Sequence, residues 1–281
     1  MIGFKKYDKG EIFSQIDKLS IEKVGNQVLT KYGKNLLKVA NVSNRYEIFD
    51  ISSYIKEKIE KIEDNFNIKA YRLTIKSGIQ HLQLISDKVD ISGQKFYKIF
   101  DILNSSDKSR RLRFSLGLKS ISNDFYIIDA KNTMFSKKHL NGLSKYVEDS
   151  TNDFNLESFD DQIESINSLV NHRISFSKMR EVILGENVNK SNHLKFDSFK
   201  NKLLNTISLN PSQSQLIRMR SEDIESIEKE YDFDIDAFTA FRLYMNIFSK
   251  SDSHIVKKET KRVLEMTKWS IRNSVLEELG I

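Results

Sequence analysis

Between Lys69 and Lys119 the apolar residues recur at period two, and this alternation constrains the fold more than any other feature of the chain. Tyr71, Leu73 and Ile75 alternate with Arg72, Thr74 and Lys76, Ser77-Gly78 marks a turn, and Leu82 and Leu84 resume the pattern. Successive side chains of a strand point to opposite faces, so this segment reads as a hairpin. Residues 95–103 are apolar enough for a further strand or a short helix, and Asn104-Ser-Ser-Asp107 reads as a turn. Leu112, Phe114, Leu116 and Leu118 then face one way, while Arg111, Arg113, Ser115 and Lys119 face the other. That is the clearest strand, with one buried and one basic face, and Phe125-Tyr-Ile-Ile128 is its expected partner. Connections this short imply an antiparallel sheet of four or more strands.

On either side the period is helical. Residues 11–20 suit one short helix within a lysine-rich stretch. Val42–Asp50 reads as a strand or turn, and Ser52-Ser53 offers an N-cap to a helix running to about Asn65 through Tyr54, Ile55, Ile59 and Ile62. After Ser136 the pattern stays helical, with segments expected near 156–171, 175–184, 195–206, 221–230, 235–250 and 255–279. Asn210-Pro211 breaks that run, and Asp234 or Asp236 can cap the helix that starts near Ala237. The expected class is α+β, with an antiparallel sheet in the N-terminal half packed with helices and a mainly helical C-terminal half. The division falls at 1–150 and 151–281, near the polar stretch Asp149–Asn155, and the helical region is expected to pack onto the sheet as one domain.

The 281 residues carry 39% hydrophobic and 30% charged side chains, enough for a packed core. The absence of cysteine excludes disulfides, thiolate zinc sites and cysteine nucleophiles. No apolar run approaches the length of a membrane span, and the first residues do not read as a secretory signal, so the cytoplasm is the expected location. No phosphate loop, dinucleotide fingerprint, kinase set or nucleophile elbow is present. Asp232-Phe-Asp-Ile-Asp236 lacks the glycine and glutamate of a calcium loop and reads as a turn plus helix cap. Neither a metal nor a cofactor is expected. A net charge of +6 favours anionic partners, although AT-rich coding also raises the lysine count.

Four segments in order resemble the phage and plasmid protein family known as domain of unknown function 932. They are Val42-Ser-Asn-Arg-Tyr-Glu-Ile-Phe-Asp50, Leu112–Asp124, Lys137-Lys-His139-Leu-Asn-Gly142, and Tyr244-Met-Asn246-Ile-Phe-Ser249 followed by His254. Together they span roughly residues 40–260. Ile121, Asp124 and Ser249 stand where that family has Cys, Gly and Thr. The resemblance implies a mobile-element origin, a host-cell cytoplasm if phage-encoded, and no defined activity.

Two groups of polar residues follow. His139, Asn123, Asn246 and His254 are the candidates for a catalytic pocket. His139 suits a capping or packing histidine first, and otherwise a general base or phosphate contact. Lys108, Arg110, Arg111, Arg113 and Lys119, with Tyr97 and Tyr126, suit a basic and aromatic sheet face that neutralises phosphates and stacks bases, or a solvated strand face. Lys258, Lys261, Arg262, Lys268 and Arg272 form a second basic helix face. The leading expectation is a nucleic-acid-binding accessory protein of a phage or plasmid, acting in replication, recombination or DNA protection. The partner is single- or double-stranded nucleic acid and not a membrane, and self-association is left open. The alternatives are an enzyme acting on a nucleotide or nucleic acid through the His/Asn pocket, and a phage structural or assembly protein.

Overall fold

Ser77 and Gly78 both have positive φ, 49° and 79°, the geometry of the tight turn that matches the twist of two antiparallel strands. A Cβ on Gly78 would stand 3.1 Å from the Ser106 hydroxyl, so the position favours glycine on both counts. This turn joins β5 (Ala70–Lys76) to β6 (Ile79–Ile91) in the computed structural model of the chain. The structure describes residues 3–107, 109–121, 126–127, 133–151, 158–185, 189–219 and 232–248, with helical residues 256, 258–260, 262–265 and 267. The elements before the hairpin are β1 (Lys5–Lys6), α1 (Lys9–Ile16), β2 (Leu19–Val24), β3 (Gln27–Tyr32), β4 (Asn35–Asn41) and α2 (Ile51–Glu63). After it come β7 (Gln94–Ser105), β8 (Leu112–Ser120), β9 (Tyr126–Ile127), β10 (Thr133–Lys137), α3 (Leu143–Thr151) and α4 (Ser158–Asn167). The rest is β11 (Arg173–Ser175), α5 (Phe176–Leu184), α6 (Lys190–Leu204), α7 (Pro211–Arg218), β12 (Asp234–Asp236) and α8 (Ala237–Met245). Antiparallel sheets dominate the first half and helices the second, so the class is α+β. No helix among the described residues is long and apolar enough to cross a membrane.

The chain divides into two compact units. The first comprises residues 1–90, 95–121 and 131–159, and the second 91–94, 122–130 and 160–281. The main sheet of the first runs in the order β1-β5-β6-β7-β8-β10. One face carries Tyr71, Leu84, Phe100, Ile102, Phe114 and Leu116, aligned by the register Tyr71↔Leu84, Phe100↔Leu116 and Ile102↔Phe114. Phe66, just after α2, meets Phe100 edge-on at 5.1 Å, and Phe159 closes the cluster at 5.3 Å from Phe100. Along α2, Tyr54, Ile55, Ile59 and Ile62 are all buried as their spacing predicts, each contributing about 1.5–3 kcal/mol. Its N-cap is Asp50 rather than Ser52 or Ser53, since one Asp50 carboxylate oxygen accepts from both of their amides at 3.1 Å. A charged oxygen serves two orphan N–H groups there, which displaces the hydroxyls.

Three expectations need correction. Residues 19–41 form an antiparallel meander, β2-β3-β4, which the mixed lysine-rich sequence does not suggest. Strand character persists beyond Ser136, because β10 pairs with β8 down to Lys137↔Leu112. The turn expected from Asn104 begins later, because β7, which takes the strand reading for residues 95–103, runs on through Asn104 and Ser105.

In the second unit, α5 follows β11, whose pairing with β12 was also not anticipated. Phe176 stacks on Phe233 at 5.3 Å and lies 5.6 Å from Phe196. Asp236 caps α8 through the Thr239 amide, as expected, and the Asp232 carboxylate accepts from the Ser177 amide at 3.0 Å. α6 already ends at Leu204, and Asn210-Pro211 opens α7 with a capping box.

Candidate functional site

Where β7 turns into β8 and β10 gives way to α3, three loops surround a pocket of about 440 Å³. Its lining is Ser43 and Tyr46 from the loop after β4, Ser109, Arg110 and Arg111 from the β7–β8 turn, and Lys138, His139 and Leu140 after β10. The register explains the convergence. Leu112 and Lys137 are partners at the ends of β8 and β10, so their chain neighbours Arg111 and Lys138 leave the sheet side by side.

Each loop is held. The Asp107 carboxylate accepts from the Ser109 amide at 3.0 Å and from the hydroxyls of Ser105 and Ser109, both at 2.5 Å. Burial would raise that carboxyl, but the serine donors outweigh it and keep it below its ordinary range. Glu47 accepts from the amides of Leu143 and Ser144, at 3.0 and 2.9 Å, and so caps α3 from nearly a hundred residues away. The Asn141 amide donates to the Arg45 carbonyl at 3.0 Å, which stitches the same two loops a second time.

His139 is the most constrained member. Only 5% exposed, it stacks on Tyr46 with ring centroids 5.2 Å apart and planes at 17°. Its Nδ1 lies 3.3 Å from the Glu47 carbonyl, and a carbonyl only accepts, so Nδ1 carries the proton. Nε2 is then a bare acceptor, and this buried atom has no hydrogen-bond partner among the described residues. Burial lowers the imidazole below its ordinary value despite the opposing pull of Glu47, which favours the neutral ring. Around it, the described lining residues are cationic with no acid among them: Arg111 and Lys138 are exposed, and Arg110 is half-buried. Leu140 adds an apolar side chain that is 48% exposed.

Of the residues expected on a basic strand face, Arg110 and Arg111 reach this pocket. Arg113 and Lys119 do not, and the reading of that face as solvent-facing is corrected. β8 is buried along its whole length on both sides. Arg113, 4% exposed, donates to Asp101 at 3.0 Å. Lys119 is 6% exposed, with its ammonium 5.8 Å from the Phe4 ring. The cause is a polar cluster that the sequence pattern does not reveal. Asp101, 2% exposed, also meets His81 Nε2 at 2.5 Å and accepts from Gln83 at 3.1 Å. Burial alone would raise the Asp101 carboxyl. The His81 ring and the Arg113 guanidinium, with the Gln83 amide, outweigh that and hold it at about 2.

Tyr97 is half-buried on β7, with the Lys88 ammonium 5.7 Å from its ring. Tyr126 is half-buried on β9 in the second unit. Asn246 also belongs to the second unit, where it follows α8 and accepts from Lys202 at 3.4 Å. Lys108, Asn123 and His254 lie outside the described residues, as do Lys261, Lys268 and Arg272 of the second basic helix face. Arg262 of that face is held inward, donating to the Val182 carbonyl at 2.6 Å and to buried Glu259 at 2.8 Å. Among the described residues no group of three or more His, Asp or Glu is placed to hold a metal ion.

Sequence reasoning missed Ser43, Ser109, Lys138, Leu140 and the Tyr46 stack as pocket members. Two signals stood nearby: Tyr46 lies in the first segment of the family resemblance, and Lys138 precedes His139. No family model matches the chain, and no curated protein or solved structure matches it either. The likeness to domain of unknown function 932 therefore rests on the quoted residues alone.

Proposed function

We propose that this protein binds nucleic acid through the pocket lined by Arg110, Arg111, Lys138 and His139. One observation carries the reading: three cationic side chains and an exposed leucine line one 440 Å³ pocket, with no acid among its described lining residues. Guanidinium groups recognise phosphate by paired N–H donors, and an ammonium adds a point charge. Leu140 offers an apolar surface to a base. A pocket of this size takes about one nucleotide, which favours a flexible single strand over a rigid duplex. The role as an accessory protein of a phage or plasmid, in replication, recombination or DNA protection, rests on the family resemblance.

Fluorescence anisotropy of labelled single- and double-stranded oligonucleotides across a salt series tests the reading. Binding should weaken steeply with salt, and Arg111→Ala should lower the slope by about one phosphate contact. Arg111 is exposed, so the variant should melt where the parent does. Flat affinity across the salt range would exclude phosphate binding.

A second reading, an enzyme acting on nucleotides, is favoured by the neutral, orientated imidazole of His139. Loss of a phosphoester turnover in His139→Ala, with the melting temperature retained, would establish it.

A further inference from the structure

We propose that the pocket selects a ribonucleotide unit, with His139 Nε2 accepting a hydrogen bond from the ribose 2′-hydroxyl. The inference deepens the phosphate-binding reading and rests on it.

The argument starts from a mismatch within the pocket. Arg110, Arg111 and Lys138 supply only donors, which suits phosphate oxygens. His139 supplies the opposite. Its Nδ1–H is committed to the Glu47 carbonyl and its ring face to Tyr46, so the buried Nε2 keeps an unused lone pair. A phosphate oxygen gains nothing from a lone pair and is repelled by it. The natural complement is an O–H or N–H donor close to the phosphate. In a polynucleotide the 2′-hydroxyl meets that need at every position and in every sequence, and it is the group that separates RNA from DNA. Base N–H donors would instead tie binding to sequence.

Nε2 is buried and without a partner among the described residues, an arrangement that is costly unless something satisfies it. A ligand donor that reaches it therefore gains more than it would at a solvated acceptor. Lys138 and Leu140, the chain neighbours on either side, are both exposed, and their side chains can give way to an entering sugar. Ser43 is an exposed hydroxyl on the same wall and can serve a remaining sugar or phosphate oxygen.

Three labelled oligonucleotides of equal length test this by anisotropy: oligouridine, its 2′-deoxy counterpart, and its 2′-O-methyl counterpart. All three share the same base donor, and the methylated strand keeps the 2′ oxygen but cannot donate. Oligouridine should bind about three- to tenfold more tightly than either of the others, the range of one hydrogen bond to a neutral acceptor. His139→Asn, which retains an N–H near the Nδ1 position and removes the distal acceptor, should bring the ratio to about one. If that variant does not fold, the 2′-O-methyl comparison on the unaltered protein still decides whether a 2′-hydroxyl donor is read, and equal binding there overturns the proposal. Equal binding of the three strands with steep salt dependence would overturn the hydroxyl assignment and leave the phosphate reading intact. A preference that persists in folded His139→Asn would overturn the role of His139. No salt-dependent binding of any strand would overturn the phosphate reading itself.

Discussion

Replacing Asp101 by alanine should be among the most damaging single changes in the first unit. Asp101 is 2% exposed and accepts from Arg113, itself 4% exposed, at 3.0 Å, while His81 and Gln83 occupy its other oxygen. Truncation removes the carboxylate but leaves the guanidinium buried, and breaking a buried pair in this way costs about 3–5 kcal/mol. The depressed acidity of this carboxyl gives a second, order-of-magnitude scale. The carboxyl lies at about 2 in the folded chain against an ordinary 3.8, a difference equivalent to roughly 2 kcal/mol. The larger figure for truncation reflects a buried guanidinium that loses this carboxylate altogether, whereas protonation leaves the Asp101 oxygens in place to accept from it. Because the folded value lies below the unfolded one, the contribution is complete above about pH 4 and is lost as the pH falls towards 2. Urea unfolding followed by circular dichroism measures both effects. With a slope of about 3 kcal/mol per molar, Asp101→Ala should lower the midpoint by about 1–1.7 M. If the two units unfold in separate steps, only the step of the first should move. Asp101→Asn keeps the shape and one acceptor, so it should cost less and should remove the acid-side loss. A midpoint shift under about 0.3 M for the alanine variant would refute the reasoning, because it would mean that Arg113 finds an equal partner at no cost.

Other outcomes follow from the same geometry. Tyr244→Phe should cost about 1–3 kcal/mol in the same urea assay, since the hydroxyl of this fully buried tyrosine donates to Glu259 and accepts from Arg262, both at 2.7 Å. Gly78→Ala should lower stability by about 1–2 kcal/mol, because φ is +79° and the added Cβ would crowd the Ser106 hydroxyl. For His139, burial holds the folded imidazole below its ordinary 6.5, so the unfolded chain takes up its proton first. Its contribution is therefore complete above about pH 6.5 and declines as the pH falls below that value. Melting temperatures of the parent should fall below pH 6.5 more steeply than those of His139→Asn, and parallel curves would count against the buried neutral ring.

Local chemistry was legible from the sequence wherever a periodicity or a cap decides the outcome. The alternation around Tyr71 and Leu84 forecast a hairpin with its turn at Ser77-Gly78, and both residues adopt the left-handed geometry such a turn needs. The spacing of Tyr54, Ile55, Ile59 and Ile62 marked the buried face of α2, and Asp236 was available as the cap of α8. His139, Arg110 and Arg111 were identified as polar positions able to meet a phosphate, but their proximity was not. What the sequence determined by itself was the class of fold, the principal hairpin and a set of chemically able side chains, because propensity and period act between residues near in the chain. Only the tertiary structure decided that Leu112 pairs with Lys137, which sets Arg111 beside Lys138, and that Glu47 reaches across to Ser144 and His139. It also decided that the polar face of β8 is buried around Asp101, not open to solvent. Strand register and long-range contact depend on which segments meet after the chain collapses, and no local pattern encodes that choice.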